Sequence, residues 1–395
     1  MFSGSVILFD HAERNNLLPF TFTKTVSDIR IGILTIREKW EKRLQTKTSS
    51  LTQDYLQKKF PLEIAADNLF ICGALIPSEA ELKIISSLQK GEAISCEGKL
   101  IALRLDAMDA EKYSNRESLP NLKIKEVSLS RRILTQKWQI FRWNDWAIEE
   151  DFQLLTARRK SAKPSSTNKI IAPDNFFMEE GAKMECAIIN ASQGKIYLGK
   201  NSEVMEGATI RGAFALCDNS EVKMQSKIYG ATTIGPYCKV GGEITNSVIF
   251  GYSNKAHDGY LGNSVIGEWC NLGADTNTSN LKNDYSEVKQ WNYASQSFEN
   301  TNQQFCGMMM GDHSKCGINT MFNTGTVVGI SVNIFGDGFP RQIIQSFTWG
   351  GASGFTDYQL NKALKVAKLV MQRRNIELTA SDIEILTHIY NLTDR

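Results

Sequence analysis

The chain has 395 residues, which is long enough for two or three domains with a sizeable core. Its 45 Lys and Arg nearly balance its 43 Asp and Glu, which argues against nucleic acid and anionic membrane surfaces as partners. The eight cysteines form no C-x-x-C pair or zinc-type cluster, so no metal site is expected, and neither a signal peptide nor a membrane span is recognisable. We therefore expect a reduced, cytoplasmic protein.

The first 157 residues predict an α/β domain, because short apolar runs alternate with amphipathic helical patterns. Strands are expected at residues 6–9, 68–76 and 99–105. One predicted helix has an apolar face of Ile29, Ile33, Ile36 and Trp40.

A second predicted helix covers residues 78–89, where Ser78 and Glu81 form a capping box. A third covers residues 143–156 and leaves the domain. The basic, Ser-rich segment 158–169, interrupted by Pro164, predicts a linker.

The middle of the chain has a period of six. Apolar residues recur in two unbroken runs, Leu198, Val204, Ile210, Leu216, Val222, Ile228, Ile234 and Val240, then Met310, Cys316, Phe322, Val328 and Ile334. Neither a helix nor an ordinary strand has this period. Three six-residue faces make one turn of a parallel β-helix, with the repeated side chain pointing inward. We predict a left-handed β-helix of hexapeptide repeats within residues 170–350, clearest at 198–336, and this architecture points to an acyltransferase that uses a coenzyme A thioester.

Two interruptions and a tail break the repeat. The phase shifts at residues 246–265, and a polar stretch within residues 282–305 predicts a loop thrown out from one corner, either completing a binding site or simply inserted. Residues 351–395 predict a helical cap over the open end of the solenoid, with a capping box of Thr356 and Gln359 and a second helix at 381–390.

The shifted segment holds a candidate site. Acylation of an amine needs a base that takes a proton as the amine attacks the thioester, and His257 suits that role. Tyr260, Asn271 and Asn280 supply donors and acceptors for a sugar. The alternative is a structural histidine in a loop.

The stretch H-D-G-Y-L-G-N-S-V-I-G-E-W-C-N-L-G-A-D-T-x-T-S-N resembles the acetyltransferase half of the bifunctional glucosamine-1-phosphate acetyltransferase/N-acetylglucosamine-1-phosphate uridyltransferases. The resemblance implies that His257 is the general base, that Tyr260 and Asn271 contact the sugar phosphate, and that Asn280 shapes the pocket. It also implies that Lys239, in G-P-Y-C-K, binds the phosphate as a point charge. Acetyl-CoA would lie between coils of adjacent subunits of a homotrimer, near residues 311–325.

The chain departs from that family's pattern at three places. Thr245 stands near the position of a second phosphate-binding lysine, and Asp275 replaces a glycine and adds a negative charge. The segment between Lys239 and His257 is also shorter than in the family, which we interpret as a trimmed coil.

The N-terminal segment, with D-H-A-E-R-N-N-L-L-P-F at residues 10–20, resembles sugar nucleotidyltransferases fused to hexapeptide β-helices. It lacks their glycine-rich loop. The resemblance implies that Arg14 replaces the loop arginine, that Lys24 or Arg30 replaces the lysine, and that an NTP and Mg²⁺ bind here. Nucleotidyl transfer and a non-catalytic nucleotide-sugar-binding scaffold are therefore the alternatives to acetyl transfer.

Overall fold

The computed structural model describes residue 2 and residues 4–128 and 132–392. The last residues of the predicted C-terminal cap, 393–395, lie outside the described residues. The chain divides into two compact units. The N-terminal unit comprises Met1–Leu17, Thr23–Ile29 and Leu34–Thr135, and the solenoid unit comprises Leu18–Phe22, Arg30–Ile33 and Gln136–Arg395.

The N-terminal unit is built on a mixed six-stranded sheet, with the spatial order Thr48–Leu51, Ser5–Phe9, Asp67–Cys72, Lys99–Asp106, Glu92–Cys96 and Lys123–Glu126. The first three strands are parallel, and Lys99–Asp106 runs antiparallel to both of its neighbours. The α-helices of this unit are Ile36–Leu44, Asp54–Gln57, Glu79–Ser86 and Ala107–Ser114, and its 3₁₀ helices are Ala12–Leu17 and Val26–Asp28. The predicted α/β class is confirmed.

Local capping decides where these helices begin. Ser78 and Glu81 form the expected capping box. The first helix starts later than its apolar pattern suggests, because Thr35 caps it and accepts a hydrogen bond from the amide of Glu38. Ile29 and Ile33 are buried in non-helical segments before that cap.

The solenoid unit is a parallel β-solenoid with three faces. Face A comprises Lys169–Ile171, Ile188–Asn190, Thr209–Arg211, Lys227–Tyr229, Glu243–Thr245, Tyr260–Gly262, Asn277–Thr278 and Met321–Phe322. Face B comprises Phe176–Met178, Ile196–Leu198, Phe214–Leu216, Thr232–Ile234, Val248–Gly251, Val265–Glu268, Met309–Met310, Val327–Val328 and Ile343–Ile344. Face C comprises Lys183–Met184, Glu203–Val204, Glu221–Val222, Lys239–Val240, Asn254–Lys255, Asn271–Leu272, Lys315–Cys316, Asn333–Ile334, Thr348–Gly351 and Gly354–Asp357. The period-six residues form its buried core, which confirms the predicted β-helix.

The phase shift has a local cause. Only Gly241 and Gly242 connect face C to face A in one coil, whereas residues 223–226 make the same connection one coil earlier. Gly242 has φ +75°, and a Cβ there would lie 3.0 Å from the carbonyl oxygen of His257. The segment is therefore shortened at its corners, and Lys239–Val240 pairs directly with Asn254–Lys255 in the next coil. The loss of a coil relative to the resembled family stays a prediction.

The insertion leaves the corner between faces A and B, after Asn277–Thr278, and returns to Met309–Met310. It contains an antiparallel hairpin of Lys289–Asn292 and Ser297–Asn300. The loop predicted within residues 282–305 thus contains regular secondary structure and is attached at one corner of the solenoid.

The solenoid unit also contains helices. They are Gln139–Arg142, Asn144–Thr156, Leu360–Gln372 and Ala380–Leu392, with 3₁₀ helices at Phe20–Phe22 and Pro173–Asn175. None of the helices in the described ranges (2, 4–128, 132–392) has the length and apolar character needed to cross a bilayer.

The C-terminal segment differs from its prediction in two respects. Thr356 lies in a strand and donates to the carbonyl oxygen of Trp349 at 3.2 Å, so the expected capping box with Gln359 is wrong. Arg374 donates to Asn254 on face C at 3.3 Å. Helix Leu360–Gln372 therefore runs back along the side of the solenoid instead of covering its open end.

Candidate active site

His257 lies at the corner where the chain passes from face C to face A. It follows strand Asn254–Lys255 and precedes strand Tyr260–Gly262. Its side chain is exposed and makes no hydrogen bond with the described residues. The backbone around it is tightly packed, because a Cβ at Gly259 would lie 2.2 Å from the carbonyl oxygen of Thr276 in the next coil. The imidazole thus projects from a fixed corner and is free to meet a ligand.

Lys255 fixes that corner from inside. It occupies an inward position paired with Val240 and is only 2% exposed. Its ammonium group donates to the carbonyl oxygens of His257 at 2.7 Å and Gly241 at 3.1 Å. Burial lowers the pKa of Lys255 to about 8, although the nearby carboxylate of Asp258 opposes that shift.

Tyr260 and Asn280 lie together at the other end of face A. The side-chain amide of Asn280 donates to the Tyr260 hydroxyl at 3.0 Å and to Asn263 Oδ1 at 2.7 Å. Burial raises the pKa of Tyr260, so its phenol stays protonated at neutral pH. The two predicted sugar-binding residues are therefore in direct contact and form a small polar cluster with Asn263.

Lys239 and Asn271 lie elsewhere, on the outer surface of face C. Lys239 forms a 2.7 Å ion pair with Glu221 in the preceding coil. Asn271 is exposed and pairs with Asn254 and Lys315 of the adjacent coils. Within one chain, the predicted residues thus occupy two faces and the corner between them.

Asp275 and Thr245, the two departures, have defined surroundings. Asp275 is exposed, and its amide donates to the carbonyl oxygen of Asp258 at 3.0 Å, one residue from His257. The extra carboxylate therefore lies one coil from the imidazole. Thr245 is 5% exposed and pairs with Tyr229 and Gly262 on face A.

The predicted nucleotide-binding residues are buried. In the N-terminal unit, Lys24 is 5% exposed, and the equally buried Arg14 forms a 2.9 Å ion pair with Asp10. In the solenoid unit, Arg30 is 8% exposed and donates to the carbonyl oxygen of Phe250 at 3.2 Å. All three side chains serve internal contacts in this conformation.

Asp10 fills the place where a nucleotide loop is expected. Ligands of α/β sheets usually bind where parallel strands end, and Asp10 directly follows strand Ser5–Phe9. There it accepts hydrogen bonds from Thr52 at 2.6 Å and from the amide of Val26 at 2.8 Å. A cavity of about 500 Å³ in this unit is lined instead by Phe2, Arg43, Leu44, Gln45, Leu69, Leu82, Ile85, Ser86, Leu88 and Arg104, none of which was predicted to bind nucleotide.

Sequence reasoning missed Lys255, Asn263 and Glu221. A signal existed for Lys255, because it falls six residues after Ile249 and six before Leu261, where an aliphatic residue is expected. No comparable pattern marks Asn263 or Glu221. Among residues 2, 4–128 and 132–392, no group of three or more His, Cys, Asp or Glu is arranged to hold a metal ion.

Comparison with known proteins finds similarity to sugar-phosphate transferases. A family model described as sugar nucleotidyl transferase matches residues 6–160. Bifunctional protein GlmU of Synechococcus elongatus is 28% identical over 151 residues, which cover 37% of this chain and 29% of that relative. A bifunctional sugar-1-phosphate nucleotidylyltransferase/acetyltransferase of Sulfurisphaera tokodaii is 30% identical over 200 residues, covering 50% of this chain and 43% of the relative.

The chain spans less than half the length of these two relatives. Among solved structures, the polySia specific acetyltransferase NeuO is matched over 49% of this chain and 86% of its own, at 12% identity and a TM-score of 0.29. The sequence relatives support the resemblance to bifunctional nucleotidyltransferase/acetyltransferases.

Proposed function

We propose that this chain is a transferase of sugar-nucleotide or cell-envelope polysaccharide synthesis, which moves the acetyl group of acetyl-CoA to the amine of an amino-sugar 1-phosphate. One observation carries the proposal. An exposed histidine, His257, stands on a corner fixed by Lys255 and three residues before Tyr260, whose hydroxyl is held by Asn280. The similarity to bifunctional sugar-phosphate transferases supports the same chemistry.

In the proposed reaction, the amine nitrogen attacks the thioester carbonyl carbon. A C–N bond forms, the C–S bond breaks, and coenzyme A leaves with the electron pair on sulfur. His257 takes the proton that the nitrogen loses and returns it to the leaving thiolate. Tyr260 and Asn280 bind sugar hydroxyls, and Lys239 attracts the phosphate.

We infer that the active form is a homotrimer. Lys239 and Asn271 lie on face C, whereas Tyr260 lies on face A and Asn280 follows the face A strand Asn277–Thr278. A ligand that contacts both pairs of residues needs face C of one copy and face A of another. A cyclic arrangement of identical subunits places these two faces together at every interface. Acetyl-CoA would bind along the coil of residues 311–325 at such an interface.

Thiol release tests the proposal. Purified protein is incubated with acetyl-CoA and a panel of amino-sugar 1-phosphates. Acceptor-dependent release of free thiol is expected, with a loss of about a hundredfold or more in His257→Ala, the scale on which general-base catalysis contributes. The proposal would be refuted if no acceptor caused thiol release, or if His257→Ala released thiol at the same rate as the parent.

Nucleotidyl transfer from an NTP to a sugar 1-phosphate is the second candidate, because the sugar nucleotidyl transferase model matches residues 6–160. Mg²⁺ would neutralise the phosphates. Pyrophosphate release that persists in His257→Ala but falls in Arg14→Ala would favour it, and failure to bind any NTP would rule it out.

A further inference from the structure

A groove of about 420 Å³ runs along the corner between faces A and B of the solenoid unit. Its floor is formed by corner residues of successive coils, including Gly230, Asn246 and Asn263. One wall comes from residues 141–145, and the other from residues 302–305 at the end of the insertion. The insertion therefore encloses a cavity that the solenoid alone would leave as an open surface.

Both walls are attached to the floor. Asn144 donates to the carbonyl oxygen of Ala231 at 3.0 Å and accepts from Thr233 at 3.1 Å. On the other side, the amide of Gly307 donates to the carbonyl oxygen of Asn263 at 2.9 Å. The fold thus holds the groove open before a ligand binds. This lowers the conformational entropy that the wall residues lose on binding.

Carboxamides dominate the polar lining. Asn246 Oδ1 accepts from the amide of Ala231 at 3.0 Å, and Asn263 Oδ1 accepts from Asn280 at 2.7 Å. The Nδ2 groups of both asparagines make no hydrogen bond with the residues that the structure describes. Gln193, Asn302, Gln303 and Gln304 add further amides. A sugar hydroxyl both donates and accepts hydrogen bonds, so it matches amide groups of mixed character.

The groove also offers an apolar surface and a cation. Phe305 is 45% exposed and lines one wall, where its ring can cover the C–H face of a sugar. Arg142 and Asp145 are both exposed in the opposite wall, which therefore carries one charge of each sign. Arg142 forms no ion pair within the described ranges, so its guanidinium is available to a phosphate or carboxylate. The cavity volume falls in the range of small-molecule sites.

We infer that this groove is a carbohydrate-binding site for a sugar that carries an anionic group near Arg142. The side-chain amide of Asn280 donates to both Asn263 and the Tyr260 hydroxyl, which connects the groove to the proposed acceptor site. The inference rests on the proposed function for the class of ligand. Apart from Asn263, which also contacts Asn280, the groove residues are separate from those assigned to acetyl transfer.

Titration calorimetry of the full chain with N-acetylglucosamine 1-phosphate tests the inference. Phe305→Ala removes the apolar wall. Asn246→Asp keeps an oxygen that can accept from the amide of Ala231, but it replaces the unbonded Nδ2 donor with a negatively charged carboxylate oxygen. Each variant is expected to weaken binding about tenfold or more, the consequence of losing roughly 1.4 kcal/mol. Phe298→Ala, on the same insertion, and Asn219→Asp, at another corner residue of positive φ, are the matched controls and are expected to bind like the parent.

The outcomes separate this inference from the proposed function. Binding that depends on Phe305 and Asn246 but persists in His257→Ala supports the groove, even if no acetyl transfer occurs. Equal affinity in the groove variants and the parent, or no binding by the parent, overturns it, even if acetyl transfer is found. Thermal unfolding of each variant identifies one that fails to fold, and the other variant then decides.

Discussion

The ammonium group of Lys255 donates a 2.7 Å hydrogen bond to the backbone carbonyl of His257. The lysine stem lies in the solenoid interior, where most coils place an aliphatic side chain. Its two hydrogen bonds to the carbonyl oxygens of His257 and Gly241 offset only part of the cost of burying the charge, because burial still lowers the pKa of Lys255 to about 8. The chain therefore keeps this lysine at some cost to stability. We interpret Lys255 as a positioning residue that holds the His257 corner.

Lys255→Met tests that interpretation. Methionine fills the interior with a chain of similar length, so the melting temperature is expected to stay the same or rise. The corner loses its internal anchor, so kcat for acetyl transfer is expected to fall about tenfold or more while KM changes little. Steady-state kinetics measure both constants. Ile249→Met, another interior substitution, is the control, and an unchanged kcat in Lys255→Met would refute the role.

Lys239→Ala addresses phosphate recognition. If Lys239 attracts the acceptor's phosphate, its loss removes a charge-assisted hydrogen bond worth roughly 1.5–3 kcal/mol. KM for the amino-sugar 1-phosphate is then expected to rise about tenfold or more, with little change for acetyl-CoA. Lys223 pairs with the same Glu221, so Lys223→Ala is the matched control. An equal rise in both variants would point to the shared carboxylate instead of the phosphate.

Lys137 predicts a pH-dependent stability. Its side chain is fully buried, and its Nζ has no hydrogen-bond partner within the described residues. Burial lowers its pKa to about 8 from an ordinary value of 10.5. Between those pH values the unfolded chain binds more protons than the folded chain, so the parent should gain stability as pH rises from 8 to 10.5.

Lys137→Met should remove this dependence and raise the free energy of unfolding at pH 7 by about 1–3 kcal/mol. Urea titrations at pH 7 and pH 10 measure both effects. Lys289→Met, at an exposed lysine, should change neither. A variant that is less stable than the parent at pH 7 would mean that the charged group has a favourable internal partner.

The period of six was enough to predict the solenoid, because each face places one side chain inward. That inward position recurs every six residues regardless of which residues face outward. It could not place Tyr260 beside Asn280, since that contact depends on how corner lengths align adjacent coils. Nor could it show that the insertion folds back to wall the groove at Asn246. Those relationships arise from pairing between coils that are distant in sequence.

The N-terminal unit was less predictable for a different reason. Strands Thr48–Leu51 and Lys123–Glu126 are short and largely polar, so no hydrophobic period identifies them. Arg14 was chosen for its position in a motif, but the nearby Asp10 engages its guanidinium in an ion pair. A sequence pattern gives residue type and spacing, whereas pairing of buried charges is decided by the fold.

Transfer of an isotopically labelled acetyl group tests the central claim most directly. Protein, acetyl-CoA labelled in the acetyl carbonyl and an amino-sugar 1-phosphate are incubated, and the products are followed by mass spectrometry and carbon NMR. The account predicts label in an amide on the sugar nitrogen, formed in equal amount to free coenzyme A and greatly reduced in His257→Ala. Label that remains on coenzyme A, or appears only as free acetate, would contradict it.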